Sequence, residues 1–268
     1  MKVFRYRNPK GVIAYAEERP DGSTRAIEGD LFGKHEVTQR PAEIAQLLAP
    51  IEPTAIFCIG LNYRKHALES GAAIPERPVL FFKSPASRQH PGEPIFLPKR
   101  AASTKVDFEA ELAVVIGRKC KNATRENALK FVYGYTAAND VSARDWQLEW
   151  GGGQWCRGKT FDTFAPLGPS LVTTNEIPNP NALKIQTILN GKVMQDADTS
   201  DMIFDVPTII EFLSSSTTLL PGTVILTGTP QGVGAARKPP VFLKVGDTIS
   251  VCIEKIGILT NPVADEID

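Results

Sequence analysis

The chain has 268 residues, of which 42% are hydrophobic, so it can bury a core for one large domain or for a small domain beside a larger one. Its 30 basic and 30 acidic side chains cancel, which gives no electrostatic reason to expect nucleic acid or an anionic membrane as a partner.

Cysteine spacing and the amino terminus bear on the cellular compartment. The four cysteines are scattered without C-x-x-C spacing, which favours buried thiols in a reducing compartment over a zinc site or a disulfide framework. The first residues, MKVFRYRNPKG, lack the apolar core of a signal peptide, and no stretch approaches the ~20 apolar residues of a membrane span. We therefore expect a soluble, cytoplasmic protein.

The first part of the chain predicts a small domain of its own. Short strands are predicted in VFRYR, VIAYAEE and STRAIEG, which are separated by Asn-Pro and Asp-Gly turns. PAEIAQLLAP then indicates a short helix, closed by proline, with Ile44, Leu47 and Leu48 on one face. We place a boundary after it, between a small β-rich domain over residues 1–52 and a larger domain over residues 53–268.

The rest of the chain is rich in predicted strands. Short runs of β-branched and apolar residues occur in AIFCIG, PVLFFK, ELAVVIG, FVYGYTAAND, LKIQTILNG, TVILTG and DTISVCIE. Helices are predicted only in NYRKHALESG, TRENALKF and VPTIIEFLSSS. Many short strands with few helices indicate an α+β, mostly β architecture rather than a doubly wound sheet.

Two glutamates at the start of one predicted strand are the main candidates for chemistry. Glu109 and Glu111 are two residues apart, so their side chains point to the same face and repel each other. Solvent on an exposed strand is the commoner explanation of such a pair, but the apolar run up to Gly117 argues against exposure. A third acid, Asp140, ends another apolar strand, and three converging carboxylates would suit Mg²⁺, Mn²⁺ or Ca²⁺. Spacing alone does not specify whether Asp140 joins the pair.

Five stretches, taken in order, resemble the fumarylacetoacetate hydrolase family. They are GLNYRKHALE, VDFEAELAVVIG, ANDVSARDWQ, GKTFDTFAPLGP and LTGTPQGVG, and together they span the chain from about Ile56 to its end. QW-x-x-GKTFDTF and ARKPPVFLKVGD are similar to one subgroup of the family, the fumarylacetoacetate hydrolase domain-containing protein 2 group. The resemblance implies a mixed β-sheet roll or sandwich and a homodimer.

The resemblance also implies roles for particular residues. It implies Mg²⁺ or Mn²⁺ on Glu109, Glu111 and Asp140, and the oxygen ligands leave Ca²⁺ possible as a substitute. It implies a lysine that faces the substrate, which is Lys159, and a threonine that contacts the substrate carboxylate, which is Thr229. A histidine and a glutamate on a mobile lid segment are matched by His66 and Glu69.

Each of these residues also has a plainer interpretation. His66 and Glu69 lie three apart on a predicted helix, where they form either a solvated surface pair or a dyad in which Glu69 orients a proton-transferring His66. Lys159 is either an exposed lysine or a charge that stabilises an enolate. The turn containing Gly228 and Thr229 is either an ordinary glycine-rich turn or a clasp for a carboxylate.

Other residues are assigned with less support from the pattern. Lys83 ends an apolar strand and is expected to assist like Lys159, and Gln147 follows the third acid closely enough to reach a substrate. His35 and His90 are interpreted as surface residues.

These features predict an enzyme in which the cation binds the carboxylate and 2-keto oxygens of a small 2-oxo acid and stabilises an enolate. Hydrolysis of the C–C bond of an acylpyruvate is the main prediction. Tautomerisation or decarboxylation of oxaloacetate is the alternative, since all three reactions pass through an enolate. A non-catalytic, metal-dependent binding module is a rival of another class. A nucleotide-binding protein is set aside because no G-x-G-x-x-G follows the AIFCIG strand.

Two departures from the family bear on these expectations. Fumarylacetoacetate hydrolase itself has a larger amino-terminal domain that lends a further acidic ligand, which argues against fumarylacetoacetate as the substrate. Animal members of the subgroup also carry a mitochondrial presequence, which is missing here.

Overall fold

Residues 1–266, which are the residues that this computed structural model describes, form nineteen strands in three sheets. The strands are β1 (Lys2–Arg7), β2 (Ile13–Glu18), β3 (Thr24–Gly29), β4 (His35–Pro41), β5 (Gln46–Leu48), β6 (Ala55–Gly60), β7 (Val79–Lys83), β8 (Arg88–Gln89), β9 (Ile95–Leu97), β10 (Val106–Asp107), β11 (Ala110–Ile116), β12 (Val132–Asn139), β13 (Ser142–Ala143), β14 (Ala165–Thr173), β15 (Lys184–Leu189), β16 (Lys192–Asp198), β17 (Thr223–Leu226), β18 (Thr248–Ile253) and β19 (Gly257–Asp265).

Helices are few and short in the same part of the chain. The α-helices are α1 (Arg64–Glu69), α2 (Cys156–Lys159) and α3 (Val206–Ser216), and Asp145–Glu149 form a π-helical turn. Asp205 caps α3, because its carboxylate accepts a hydrogen bond from the Thr208 N–H at 3.0 Å. None of the helices among residues 1–266 has the length and apolar character needed to cross a bilayer.

The largest sheet has twelve strands, ten of which follow the order β4-β3-β2-β1-β14-β12-β11-β17-β6-β7. Most neighbours are antiparallel, but β17 and β6 are parallel, so the sheet is mixed. A five-stranded sheet, β16-β15-β18-β19-β9, packs with α3 against one face of the large sheet, where residues of both sheets share a core. A two-stranded ladder joins β10 to β13.

Strand β11 lies in the middle of this arrangement and is buried along its whole length. Its neighbours are β12 and β17. Leu112 and Val114 face the core shared with the five-stranded sheet, whereas Ala113 and Val115 face a second core on the opposite side. Coverage on both faces explains why its sequence is continuously apolar rather than alternating. The glutamates at the start of β11 are therefore carried into the interior of the protein.

The helix predicted in PAEIAQLLAP is wrong. The chain is extended there, and Gln46–Leu48 form β5, which pairs antiparallel with β1. Apolar residues at helical spacing gave the prediction, but a segment this short gains little from helical hydrogen bonds of its own. Pairing with β1 satisfies its backbone and buries Leu48. TRENALKF likewise forms only a single 3₁₀ turn over Ala128–Phe131.

The amino-terminal strands continue the large sheet, because β1 pairs antiparallel with β14. The domain boundary near residue 52 stays a prediction. His90 differs from the surface residue that was expected, since it is half-buried and its Nδ1 accepts a hydrogen bond from the Ala49 N–H at 2.9 Å. Burial, followed by the charges of Arg88 and Arg5, lowers the pKa of His90 from 6.5 to about 4.

Candidate active site

Three carboxylates meet at one end of β11 and β12. One oxygen from each of Glu109, Glu111 and Asp140 lies within 4.8 Å of the other two, and all three residues are buried. The antiparallel ladder places Ala110 opposite Asn139, so the residues that flank this pair become neighbours. The Asp140 N–H then donates to the Glu109 carbonyl at 2.9 Å. Sheet pairing thus brings Asp140 to the two glutamates, which spacing along the sequence alone did not specify.

Three cationic side chains surround these carboxylates. The Lys159 ammonium lies 2.8 Å from Glu109 Oε2 and 2.9 Å from Asp140 Oδ2. Lys83 Nζ lies 2.7 Å from Asp140 Oδ1, and Arg144 Nη1 lies 2.7 Å from Glu109 Oε1. Both lysines are almost completely buried, so these pairs are weakly screened by solvent.

The two lysines differ in their environment. Lys83 donates to the carbonyls of Val141 at 2.9 Å and Lys159 at 2.5 Å, and its ammonium also forms the ion pair with Asp140 Oδ1. Burial lowers the pKa of Lys83, and the attraction of Asp140 only partly offsets this. Burial also lowers the pKa of Lys159, but Asp140 and Glu109 together raise it above its usual value.

Glu109 and Glu111 also differ, although both are buried. Burial raises the pKa of Glu109, but Lys159 and Arg144 more than reverse this and hold it well below its usual range. Glu111 accepts one hydrogen bond within residues 1–266, from the Gly228 N–H at 2.6 Å. Burial, followed by the charges of Asp140 and Glu109, raises the pKa of Glu111 well above 4.5. A divalent cation would relieve this repulsion, so the oxygen donors fit Mg²⁺ or Mn²⁺.

His66 and Glu69 form a hydrogen-bonded pair on α1. Their spacing of three residues places both on one face, with His66 Nδ1 2.8 Å from Glu69 Oε1. Glu69 also accepts hydrogen bonds from the Gly232 N–H at 2.9 and 3.0 Å, which fixes its carboxylate. An ionised carboxylate can only accept, so Nδ1 carries a proton, and in the neutral imidazole Nε2 is then the nitrogen with the free lone pair. Both side chains line the cavity described next.

A cavity of about 440 Å³ opens beside these groups. Its polar wall includes His66, Glu69, Glu109, Glu111, Arg144, Gln147, Lys159 and Thr229. The rest of the lining is mainly apolar and includes Ile59, Leu61, Phe81, Leu148, Trp155 and Val233. Polar groups that converge in a largely apolar pocket are typical of a small-molecule site.

Two residues expected to touch a substrate lie outside the cavity lining. Lys83 forms an ion pair with Asp140 instead. The Gly228 N–H points at Glu111, and its backbone has a φ of +98° that favours glycine. A Cβ at Gly228 would lie 2.6 Å from Cβ of Asn62, so the turn approaches the β6–α1 connection too closely for a side chain.

Arg144 and Asp107 are site residues that the sequence analysis did not assign. Arg144 donates to Gln147 Oε1 at 2.9 Å and, through Nε and Nη2, to Asp107 Oδ2 at 2.9 and 2.8 Å. Asp107 also accepts from the N–H groups of Gly234 and Ala235, which lie beyond the glycine-rich turn. Arg144 lies in ANDVSARDWQ, three residues before Gln147, and this spacing was the available signal. Asp107 lies two residues before Glu109 in VDFEAELAVVIG, but its pairing with Arg144 could not be predicted because Arg144 is distant in sequence.

Comparison with known proteins identifies a family and several relatives. Residues 55–264 match the family described as fumarylacetoacetate (FAA) hydrolase C-terminal. A Dictyostelium discoideum fumarylacetoacetate hydrolase domain-containing protein 2 homolog is 49% identical over 232 residues, which are 83% of this chain and 75% of that protein. A Xenopus laevis protein named as a mitochondrial oxaloacetate tautomerase is 50% identical over 218 residues, which are 81% of this chain and 68% of that protein.

Solved structures show the same fold. The fumarylacetoacetate hydrolase of psychrophilic Exiguobacterium antarcticum matches with a TM-score of 0.88 and 37% identity, over 99% of this chain and 100% of that one. The expected mostly β, mixed-sheet fold is therefore confirmed. The chain belongs to the fumarylacetoacetate hydrolase family of enzymes and, within it, matches the domain-containing protein 2 subgroup.

Proposed function

We propose that the protein is a divalent-metal-dependent enol–keto tautomerase of oxaloacetate. The observation that carries this proposal is the convergence of Glu109, Glu111 and Asp140 in one buried cluster beside the His66–Glu69 pair. The name of the 50% identical Xenopus relative supports oxaloacetate as the substrate. This order reverses the sequence-based expectation, in which acylpyruvate hydrolysis came first.

The chemistry depends on moving one proton between the C2 oxygen and C3 of the substrate. A divalent cation held by Glu109, Glu111 and Asp140, either Mg²⁺ or Mn²⁺, would supply Lewis-acid stabilisation of the enolate. With Nδ1 held by Glu69, His66 Nε2 takes the proton from one position and returns it at the other. Lys159 places a positive charge beside the same cluster, where negative charge develops.

The remaining polar residues of the cavity orient the substrate. The Thr229 hydroxyl donates to a substrate carboxylate, and the Gln147 amide, which also lines the cavity, supplies a further donor. Arg144 holds Gln147 Oε1 at 2.9 Å, so the Gln147 NH₂ group faces away from it. These contacts keep C3 of the substrate near His66.

The test follows loss of the enol absorbance of oxaloacetate with Mg²⁺ or Mn²⁺ present. We expect acceleration by the wild-type protein, and loss of acceleration on chelation and in Lys159→Met. A bound metal with no acceleration would overturn the proposal. If the substrate binds and the rate survives both His66→Gln and Lys159→Met, the assigned catalytic residues are wrong. Binding without any turnover would favour a metal-dependent binding module.

A second candidate reaction is hydrolysis of the C–C bond of an acylpyruvate. The apolar wall formed by residues such as Phe81, Leu148 and Trp155 favours it, because a four-carbon diacid has no apolar group to place there. Assaying acylpyruvates with apolar acyl groups beside oxaloacetate ranks the two reactions, and release of pyruvate from an acylpyruvate marks hydrolysis. Release of CO₂ from oxaloacetate would instead mark decarboxylation.

A homodimer and a cytoplasmic location remain proposals. Leu80 and Phe82 are 38% and 45% exposed on β7, which ends the large sheet, and this apolar edge supports association between copies. Light scattering should give a dimer mass that falls in Leu80→Glu. The Xenopus relative is named mitochondrial, so fractionation of the source cell has to decide the location.

A further inference from the structure

Gln195 on β16 connects the five-stranded sheet to the candidate active site. Gln195 is 1% exposed, and its side chain lies between the start of β11 and the turn that follows β17. Its Nε2 donates to Thr229 Oγ1 and to the Pro230 carbonyl, both at 2.8 Å. Its Oε1 accepts from the Ala110 N–H at 2.9 Å and from Thr187 Oγ1 at 2.6 Å. The amide therefore uses two donors and two acceptors, which is its full capacity.

The orientation of this amide follows from its partners. The Ala110 N–H can only donate, so the atom facing it must be the oxygen of Gln195. The Pro230 carbonyl can only accept, so the atom facing it must be the nitrogen. Both constraints agree, and the reversed amide would place like groups together on both sides. Gln195 thus presents an N–H, not an oxygen, to Thr229.

This orientation decides what the Thr229 hydroxyl can do. Because the hydroxyl accepts from Gln195, its own hydrogen remains to be donated, and within residues 1–266 it has no acceptor. Thr229 lines the cavity beside Glu109 and Glu111, so that hydrogen is available to a ligand there. Ala110 lies between these two glutamates, so the same amide also ties the Thr229 turn to the strand that carries them.

We infer that Gln195 is a positioning residue that makes the Thr229 hydroxyl a hydrogen-bond donor to the carboxylate of the bound 2-oxo acid. The inference rests on the proposed function, in which Thr229 binds that carboxylate. Gln195 lies behind Thr229 and acts through it rather than by contact with the substrate. Its β16 strand carries none of the motifs that resemble the family.

The test is a double-mutant cycle on oxalate binding in the presence of Mn²⁺, with the apparent KM for oxaloacetate as a second readout. Gln195→Met and Thr229→Val should each weaken oxalate binding by about tenfold or more, the scale of a lost hydrogen bond to a charged group. In the Thr229→Val background, Gln195→Met should add less than about twofold, because both changes act on the ligand through the same Thr229 hydroxyl. If the two effects multiply, the inference is overturned.

Thr187→Val is the matched control for a merely structural role. It removes one hydrogen bond from the same Gln195 oxygen but leaves both N–H donors in place. It should lower stability while keeping oxalate affinity within about twofold of wild type. Equal weakening in Thr187→Val and Gln195→Met would reject the inference.

Gln195→Ala serves if Gln195→Met does not fold, because water can enter the smaller side chain's space and satisfy Ala110. The same loss of oxalate affinity is expected there, and wild-type affinity would overturn the inference. If wild-type protein neither binds oxalate nor turns over oxaloacetate, the proposed function fails. If wild type does both and Gln195 variants behave like Thr187→Val, only the positioning role fails.

Discussion

Replacing Glu111 by glutamine should stabilise the metal-free protein and abolish its stabilisation by metal. Glu111 has no cationic partner within residues 1–266, whereas Glu109 and Asp140 lie within 4.8 Å of it. Two unit charges at that distance repel by roughly 3.5 kcal/mol at an effective dielectric constant of about 20. Uptake of a proton by Glu111 relieves part of this repulsion in the wild-type protein. We therefore expect Glu111→Gln to raise the free energy of unfolding by about 2 kcal/mol at pH 7 in a chelator.

The assay is urea unfolding at pH 7 with chelator and with Mn²⁺. Wild-type protein should gain about 2.7 kcal/mol when free Mn²⁺ is a hundredfold above its Kd, and Glu111→Gln should gain almost nothing. Glu109→Gln is the matched control on the same strand. It should lose about 3 kcal/mol in the chelator, since Lys159 and Arg144 are left without their shared partner.

The pH dependence of stability independently tests whether Glu111→Gln stabilises the metal-free protein. The raised pKa of Glu111 means that the folded protein holds this proton more tightly than the unfolded chain does. Stability is therefore lost as pH rises above 4.5, and the advantage of Glu111→Gln should shrink toward zero as pH falls to that value. A Glu111→Gln protein that is less stable than wild type in chelator would refute the charge argument. A full Mn²⁺ gain in this variant would refute the ligand assignment.

Three further predictions concern the dyad, the turn and a half-buried histidine. His66→Gln should lower oxaloacetate turnover by about 10²–10⁴-fold and leave Mn²⁺ affinity unchanged, because His66 bonds Glu69 rather than a ligand carboxylate. Steady-state kinetics and Mn²⁺ titration measure the two quantities. Loss of Mn²⁺ binding in this variant would contradict the prediction. Gly228→Ala should lower the melting temperature more than Gly71→Ala. A Cβ at Gly228 would lie 2.6 Å from Cβ of Asn62, whereas a Cβ at Gly71 would have no atom within 4 Å. Equal shifts in melting temperature would contradict the crowding argument. His90→Gln should make stability less sensitive to acid. The unfolded chain binds the His90 proton first, so wild type loses stability as pH falls from 6.5 toward 4, and urea unfolding that shows no such difference would contradict this.

Much of the fold could be predicted from local patterns. The runs that became β6, β7, β11, β12, β15, β17 and β18 are apolar and β-branched, and α3 has a capping aspartate and a proline in its first turn. The structure of PAEIAQLLAP could not be predicted in this way, because its apolar residues are compatible both with one face of a helix and with a strand that pairs with β1. Tertiary pairing decided that segment.

The candidate site likewise depends partly on local sequence and partly on tertiary contacts. The sequence by itself determined that Glu109 and Glu111 share one face of a strand and that His66 and Glu69 share one face of a helix, because both relations depend only on local backbone geometry. Tertiary structure alone decided that Asp140 meets the glutamates, that Lys83 lies behind it, and that Gln195 reaches across from the second sheet. These contacts join residues as many as 85 positions apart, and such distances are fixed by sheet pairing and packing rather than by any periodicity along the chain.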